Sequence, residues 1–137
     1  MTQVGRVGIV LVSHSAGLAA GTAELAGQIG GGEVTIVPAG GTDDGRLGTS
    51  IDKIRRALAA ADSGAGVVIL PDLGSSVLTV RALLAEHQED DCLPEPIAVA
   101  DAPFVEGAVA ATIAAAVGGD VKAVASAAEE ARHARKL

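Results

Sequence analysis

Short β-branched apolar runs alternate along this chain with longer segments whose apolar residues recur at helical spacing. Residues 7–13 (Val-Gly-Ile-Val-Leu-Val-Ser) are almost continuously apolar, the pattern of a strand covered on both faces. Residues 17–29 then predict a helix, stopped by Gly30, Gly31 and Gly32, which supply the conformation of a C-terminal cap. Residues 33–38 (Glu-Val-Thr-Ile-Val-Pro) predict a second strand, and a glycine-rich loop follows over 39–48. Thr49 or Ser50 caps the next helix, which sets Ile51, Ile54, Leu58 and Ala61 on one face and turns Lys53, Arg55 and Arg56 outward. Residues 66–70 predict a third strand ending at Pro71-Asp72. Gly74-Ser75-Ser76 opens a helix with Val77, Val80 and Leu84 on its apolar side. A fourth strand is expected over 96–100, and alanine-rich helices over 105–117 and 120–135.

Strands separated by helices make βαβ units. The expected fold class is therefore α/β, a three-layer sandwich with a mainly parallel central sheet and helices on both faces. No linker, repeat or boundary interrupts the pattern, so residues 1–137 read as a single domain.

Composition narrows the function. Half the chain is hydrophobic (49%), but Phe104 is the only aromatic residue, so the core must be built from Ala, Val, Ile and Leu. Without Trp or Tyr there is no stacking platform for single-stranded nucleic acid. A net charge of −7 is repelled by phosphate backbones and anionic membranes, and suits a basic protein partner. The expectation is thus no nucleic acid and no membrane. Cys92 is the single cysteine, which excludes an intrachain disulfide, and its polar surroundings make it incidental. The N-terminus lacks a signal-peptide pattern, and the run from Val7 to Val12 is far too short to span a bilayer, so the expected location is cytoplasmic.

Ligands of open α/β sheets bind beyond the carboxyl ends of the strands, where strand order reverses. Three polar segments fall at such ends: Ser13-His14-Ser15, Gly40-Gly41-Thr42 and Asp72-Leu73-Gly74-Ser75-Ser76. If the first strand lies between the second and third, they share one rim. His14 is then placed to take a phosphoryl group on one ring nitrogen. Asp72 can accept a hydrogen bond from the other, orienting the imidazole and stabilising the imidazolium that forms. Helix N-termini, with Ser15, Gly41, Thr42, Gly74, Ser75 and Ser76, are the candidate phosphate-binding groups. Each piece has a plainer reading: a structural histidine, a helix-capping aspartate, an ordinary Gly-Gly turn. Their joint placement favours chemistry and leaves the ring nitrogen undecided. His87 and His133 fall on charged helical segments and read as solvated. The chain has no Gly-x-x-x-x-Gly-Lys-Ser/Thr, no Gly-x-Gly-x-x-Gly and no paired Cys/His spacing. No cofactor and no metal are expected on it.

The pieces together resemble a known family. Ile9-Val10-Leu11-Val12-Ser13-His14-Ser15, Ala39-Gly40-Gly41-Thr42-Asp43-Asp44 with Leu47-Gly48-Thr49-Ser50, Pro71-Asp72-Leu73-Gly74-Ser75-Ser76 and Ala102-Pro103-Phe104-Val105-Glu106-Gly107 occur in that family's order. The chain is similar to the mannose-type enzyme IIA domains of the bacterial phosphoenolpyruvate-dependent phosphotransferase system. Within that family it is more similar to the phosphotransfer subunits of dihydroxyacetone kinases. Sugar-transport members tend to carry Thr-x-Trp-Gly-Gly-Ser-Pro near the aspartate and a glycine after the histidine, where this chain has Leu73-Gly74-Ser75-Ser76 and Ser15. Pro71 departs from the apolar residue more usual before the aspartate.

The resemblance implies a sheet in the order 2-1-3-4, a homodimer, His14 as the phosphorylated residue and Asp72 as its neighbouring carboxylate. Phosphate would come from phosphoenolpyruvate through enzyme I and HPr, and leave for ADP on the nucleotide-binding subunit of dihydroxyacetone kinase. Some relatives carry fused HPr-like and enzyme I-like domains, so this chain is expected to rely on separate donors. The alternatives are a sugar-transport component, a regulatory phosphodomain and a small tetrapyrrole metal chelatase. The chelatase would need a second inward histidine or glutamate, and His87 is the only other mid-chain histidine.

Overall fold

Strands and helices alternate through the computed structural model, which describes residues 5–86 and 93–137. His87 and Cys92 lie outside those residues. The elements are β1 (Gly8–Ser13), α1 (Ala16–Ile29), β2 (Ile36–Gly40), α2 (Ile51–Ala61), β3 (Val67–Pro71), α3 (Gly74–Ala85), β4 (Ile97–Val99), α4 (Phe104–Ala116) and α5 (Val121–Glu130). The sheet is parallel throughout, in the order β2-β1-β3-β4.

The continuous apolar runs reflect burial on both faces. Successive side chains of a strand point to opposite sides. Ile9 and Leu11 of β1, with Val68 and Leu70 of β3, pack against Ala26 of α1, Ala108, Ala111 and Ala115 of α4, and Val124 and Ala128 of α5. Val10, Val12, Val67 and Ile69 face the other way, onto Ile54 and Leu58 of α2 and Val80 and Leu83 of α3. These β1 and β3 side chains are fully buried, and each contributes about 1.5–3 kcal/mol. The two strands that carry the site are thus packed on both faces.

The second strand lies later than the 33–38 expected from sequence. Its register pairs Ile9 with Ile36 and Ser13 with Gly40, which draws Ala39 and Gly40 out of the expected loop. Gly40 is required there: a Cβ would stand 2.4 Å from the Ser15 carbonyl oxygen. Pro38 is tolerated because β2 is an edge strand and the ladder alternation turns its donorless nitrogen away from β1. Pro71, on a strand flanked by β1 and β4, sits instead at the strand's last position. The Asp72 amide donates to the Val12 carbonyl at 2.9 Å, so position 71 faces away from β1, past the last paired residue of β4. The proline therefore costs no bond to β1.

Other boundaries shift for local reasons. The third strand covers 67–71 rather than 66–70. In α3 the buried residues are Ser76, Val80 and Leu83, with Leu84 only half-buried. Ile51 opens α2 while still exposed. The final helix ends at Glu130, short of the 135 expected, and tightens into a turn over Ala131–His133. There Arg132 reaches back to the Asp101 carbonyl and carboxylate. His133 is exposed, as expected.

Candidate functional site

His14 directly follows β1 and Asp72 directly follows β3, and these strands are neighbours at the reversal of strand order. The His14 side chain keeps 26% of its surface exposed while that of Asp72 keeps 6%.

Five groups converge on the Asp72 carboxylate. Oδ1 lies 3.0 Å from His14 Nδ1 and accepts from Ser76 Oγ and the Leu73 amide, each at 2.7 Å. Oδ2 accepts from Ser13 Oγ at 2.9 Å and from the His14 amide at 3.1 Å. Burial alone would raise the pKa of this carboxyl. The hydrogen bonds from Ser76, the His14 amide, Ser13 and the ring outweigh it, and hold the pKa at about 2. Asp72 is therefore an anion at neutral pH.

That charge decides the tautomer. An ionised carboxylate only accepts, so the hydrogen-bond network assigns the ring proton to Nδ1. Nε2 keeps its lone pair. It faces outward, against Ser75 Oγ, which is placed to donate to it. Ser76 Oγ, 3.2 Å from Nδ1, backs the other side of the ring. The imidazole is presented as a nucleophile with one reactive nitrogen, the point that sequence left open.

The expected phosphate ligands divide. Ser75 stands against the ring, Ser76 against both ring and carboxylate, and Gly74 beside them at the start of α3, a helix with no side-chain cap. Its leading N–H groups therefore have no side-chain acceptor. Gly41 and Thr42 are committed elsewhere, while Ser15 accepts at a helix cap and keeps its hydroxyl proton to donate. Ser15 Oγ caps α1 by accepting from the Leu18 amide at 3.1 Å. Thr42 Oγ1 donates to Asp44 and accepts from the Arg46 amide at 3.0 Å. Gly41, at φ 76°, donates its amide to the Ser13 carbonyl at 3.1 Å. The Gly48 amide donates to the His14 carbonyl at 2.9 Å, so the 41–48 loop clamps the backbone of the site.

Ser13 joins the site as a partner of Asp72, a role that the sequence does not assign it. The available signal was a polar residue closing a strand that is otherwise wholly apolar. The ring is partly exposed, and Leu47 and Leu73, which precede Gly48 and follow Asp72 in the chain, are exposed as well. Among the described residues no group of three or more His, Cys, Asp or Glu is placed to hold a metal ion. None of the described helices is long and apolar enough to cross a membrane.

A family model, EIIA-man, described as the PTS system fructose IIA component, matches residues 8–125. The chain belongs to that family. The matched span includes both the strand end bearing His14 and the one bearing Asp72. Among EIIA-man relatives, a Listeria innocua protein is 36% identical over 118 residues, covering 86% of this chain and 93% of its own. It is named PEP-dependent dihydroxyacetone kinase 2, phosphoryl donor subunit DhaM. A Providencia stuartii protein named PEP-dependent dihydroxyacetone kinase, phosphoryl donor subunit DhaM is 33% identical over 133 residues. That match covers 95% of this chain but 28% of the Providencia protein. The crystal structure of an unknown-function protein, EF1359, superposes with a TM-score of 0.78 at 35% identity, over 91% of this chain and 94% of that one.

Proposed function

We propose that this chain is a phosphohistidine carrier, the phosphoryl donor component of a phosphoenolpyruvate-dependent dihydroxyacetone kinase. The observation that carries the reading is the His14–Asp72 pair, with Nδ1 bound to an anionic carboxylate and Nε2 unprotonated on a partly exposed ring against Ser75. The site lies in an EIIA-man domain whose relatives are named as phosphoryl donor subunits.

In the forward step the Nε2 lone pair attacks the phosphorus of phosphorylated HPr. An N–P bond forms on His14 as the donor's N–P bond breaks. The ring becomes an imidazolium, and Asp72 balances the positive charge through Nδ1–H. Ser75 Oγ turns its proton from Nε2 to a phosphoryl oxygen, and the uncapped amides of Gly74 and Ser75 supply further donors. In the second step a β-phosphate oxygen of ADP, held on the nucleotide-binding kinase subunit, attacks the same phosphorus. The His14 N–P bond breaks and ATP forms in place for phosphorylation of dihydroxyacetone. An open ring suits both exchanges, because each partner is itself a protein. The reading carries with it a cytoplasmic location, where phosphoenolpyruvate and ADP are available.

The test is a relay of phosphoenolpyruvate, enzyme I and HPr, followed by intact mass before and after adding the ADP-loaded kinase subunit. One phosphate gained and then lost with formation of ATP is the expected result. A phosphate that is gained but kept excludes ADP as acceptor, and no gain excludes a carrier.

The reading includes a homodimer. From Gly107 to Val117 no charged residue occurs, and Ile113 and Val117 are 48% and 83% exposed. Leu25 and Ile29 of α1, which packs on α4, are also exposed. On a chain of net charge −7, an uncharged apolar face is where two copies meet with least repulsion. Light scattering is expected to give twice the chain mass for the wild type and the single mass for the Ile113→Glu/Val117→Glu variant. A monomeric wild type at micromolar concentration refutes this.

A further inference from the structure

We infer that Ser13 is a positioning residue that fixes the ring tautomer of His14 by acting through Asp72. The inference rests on the phosphocarrier reading for its kinetic consequence, though not for its structural one. The Ser13 side chain has no solvent-exposed surface, and its hydroxyl sits between two partners. It accepts from the Ser15 amide at 3.0 Å and donates to Asp72 Oδ2 at 2.9 Å. The amide can only donate, so the hydroxyl lone pair is used on that side and its single proton is aimed at the carboxylate. The direction of this relay is thereby set by the backbone at the start of α1.

The consequence for the ring follows from the geometry of a planar carboxylate. Oδ1 serves His14 Nδ1, Ser76 and the Leu73 amide, and its angle to the ring depends on where Oδ2 is held. Oδ2 has two holders, Ser13 Oγ and the His14 amide at 3.1 Å. Without the Ser13 hydroxyl the carboxylate keeps only the longer of these bonds on Oδ2 and can rotate. Oδ1 then drifts off the Nδ1 axis. A ring no longer held in one tautomer spends part of its time with the proton on Nε2, where it blocks the nucleophile. Ser13 touches neither the phosphoryl group nor the ring, so its effect reaches chemistry only through proton placement.

The experiment compares Ser13→Ala, the near-isosteric Ser13→Cys and the hydroxyl-retaining Ser13→Thr with wild type. Imidazole ¹⁵N shifts of His14 are recorded above pH 8, together with the initial rate of phosphate uptake at varied HPr. Wild type is expected to give one Nδ1–H tautomer. The Ala and Cys variants are expected to give averaged nitrogen shifts and a maximal rate about tenfold lower, the loss of one hydrogen bond to a charged group, with KM for HPr unchanged. Thr is expected to restore both. Unchanged nitrogen shifts in a folded Ala or Cys variant overturn the inference, as does a loss seen only in KM. A failed carrier reading is distinguishable, because then wild type itself takes up no phosphate while the nitrogen shifts still report the tautomer.

Discussion

Replacing His14 by alanine is expected to abolish phosphate uptake and leave the fold in place. The ring is the only group at the site with an unprotonated nucleophilic nitrogen. Without the ring Ser75 loses the Nε2 it faces, and Ser76 is left with a carboxylate that four remaining hydrogen bonds keep weakly basic. Stability is expected to change by only about 1 kcal/mol. The backbone bonds of residue 14, its amide to Asp72 and its carbonyl from the Gly48 amide, survive the substitution. The ring is partly exposed, so water can take its place on Oδ1. Intact mass under the relay and thermal unfolding of the same sample check the two halves together. A phosphorylated alanine variant removes His14 from the mechanism.

Asp72→Asn is expected to slow uptake by about 10²–10⁴-fold, the range in which misplacing a catalytic proton falls. The physical reason is the direction of the surrounding hydrogen bonds. Ser13, Ser76, the Leu73 amide and the His14 amide all donate toward this side chain. An amide has one accepting end, so its NH₂ must face donors wherever it turns. Turned to the ring, the NH₂ forces the proton onto Nε2 and removes the nucleophile. Turned to Oδ2's position, it faces Ser13 and the His14 amide, and the neutral oxygen left to Nδ1 no longer balances an imidazolium. Fold stability is affected less, and in a defined pH window. The carboxyl pKa is lowered from 3.8 to about 2, so the stability it contributes is present above pH 3.8 and is lost as pH falls toward 2. That contribution is on the order of 2 kcal/mol. Chemical denaturation of wild type between pH 5 and 2 should show it, and the Asn variant should be flatter over the same range. A variant with wild-type uptake excludes Asp72 from the chemistry.

Both effects depend on residues the linear pattern already marked. A strand buried on both faces must be apolar along its length, so β1 and β3 are conspicuous, and so are the polar residues at their ends. His14, Asp72, Ser75 and Ser76 were legible for that reason. The second strand was less legible, because Ala39 and Gly40 carry no strand signal and are held by register with β1. Leu83 and Leu84 are adjacent in sequence, and only the docking angle of α3 decides which is fully buried.

The sequence by itself determined the α/β class, the two strand ends and the residue types that meet there, because periodicity and burial are properties of single elements. Tertiary structure alone decided what those residues do to one another. Thr42 has a hydroxyl as suitable for phosphate as that of Ser75, yet its proton and its lone pair are both used within its own loop. Ser13 looked like the end of a strand and became the second anchor of a carboxylate 59 residues away in the chain. The choice of Nε2 over Nδ1 follows from the carboxylate that stands against Nδ1. A proton goes where an acceptor stands within about 3 Å, and such distances between residues far apart in sequence exist only once the strands have paired.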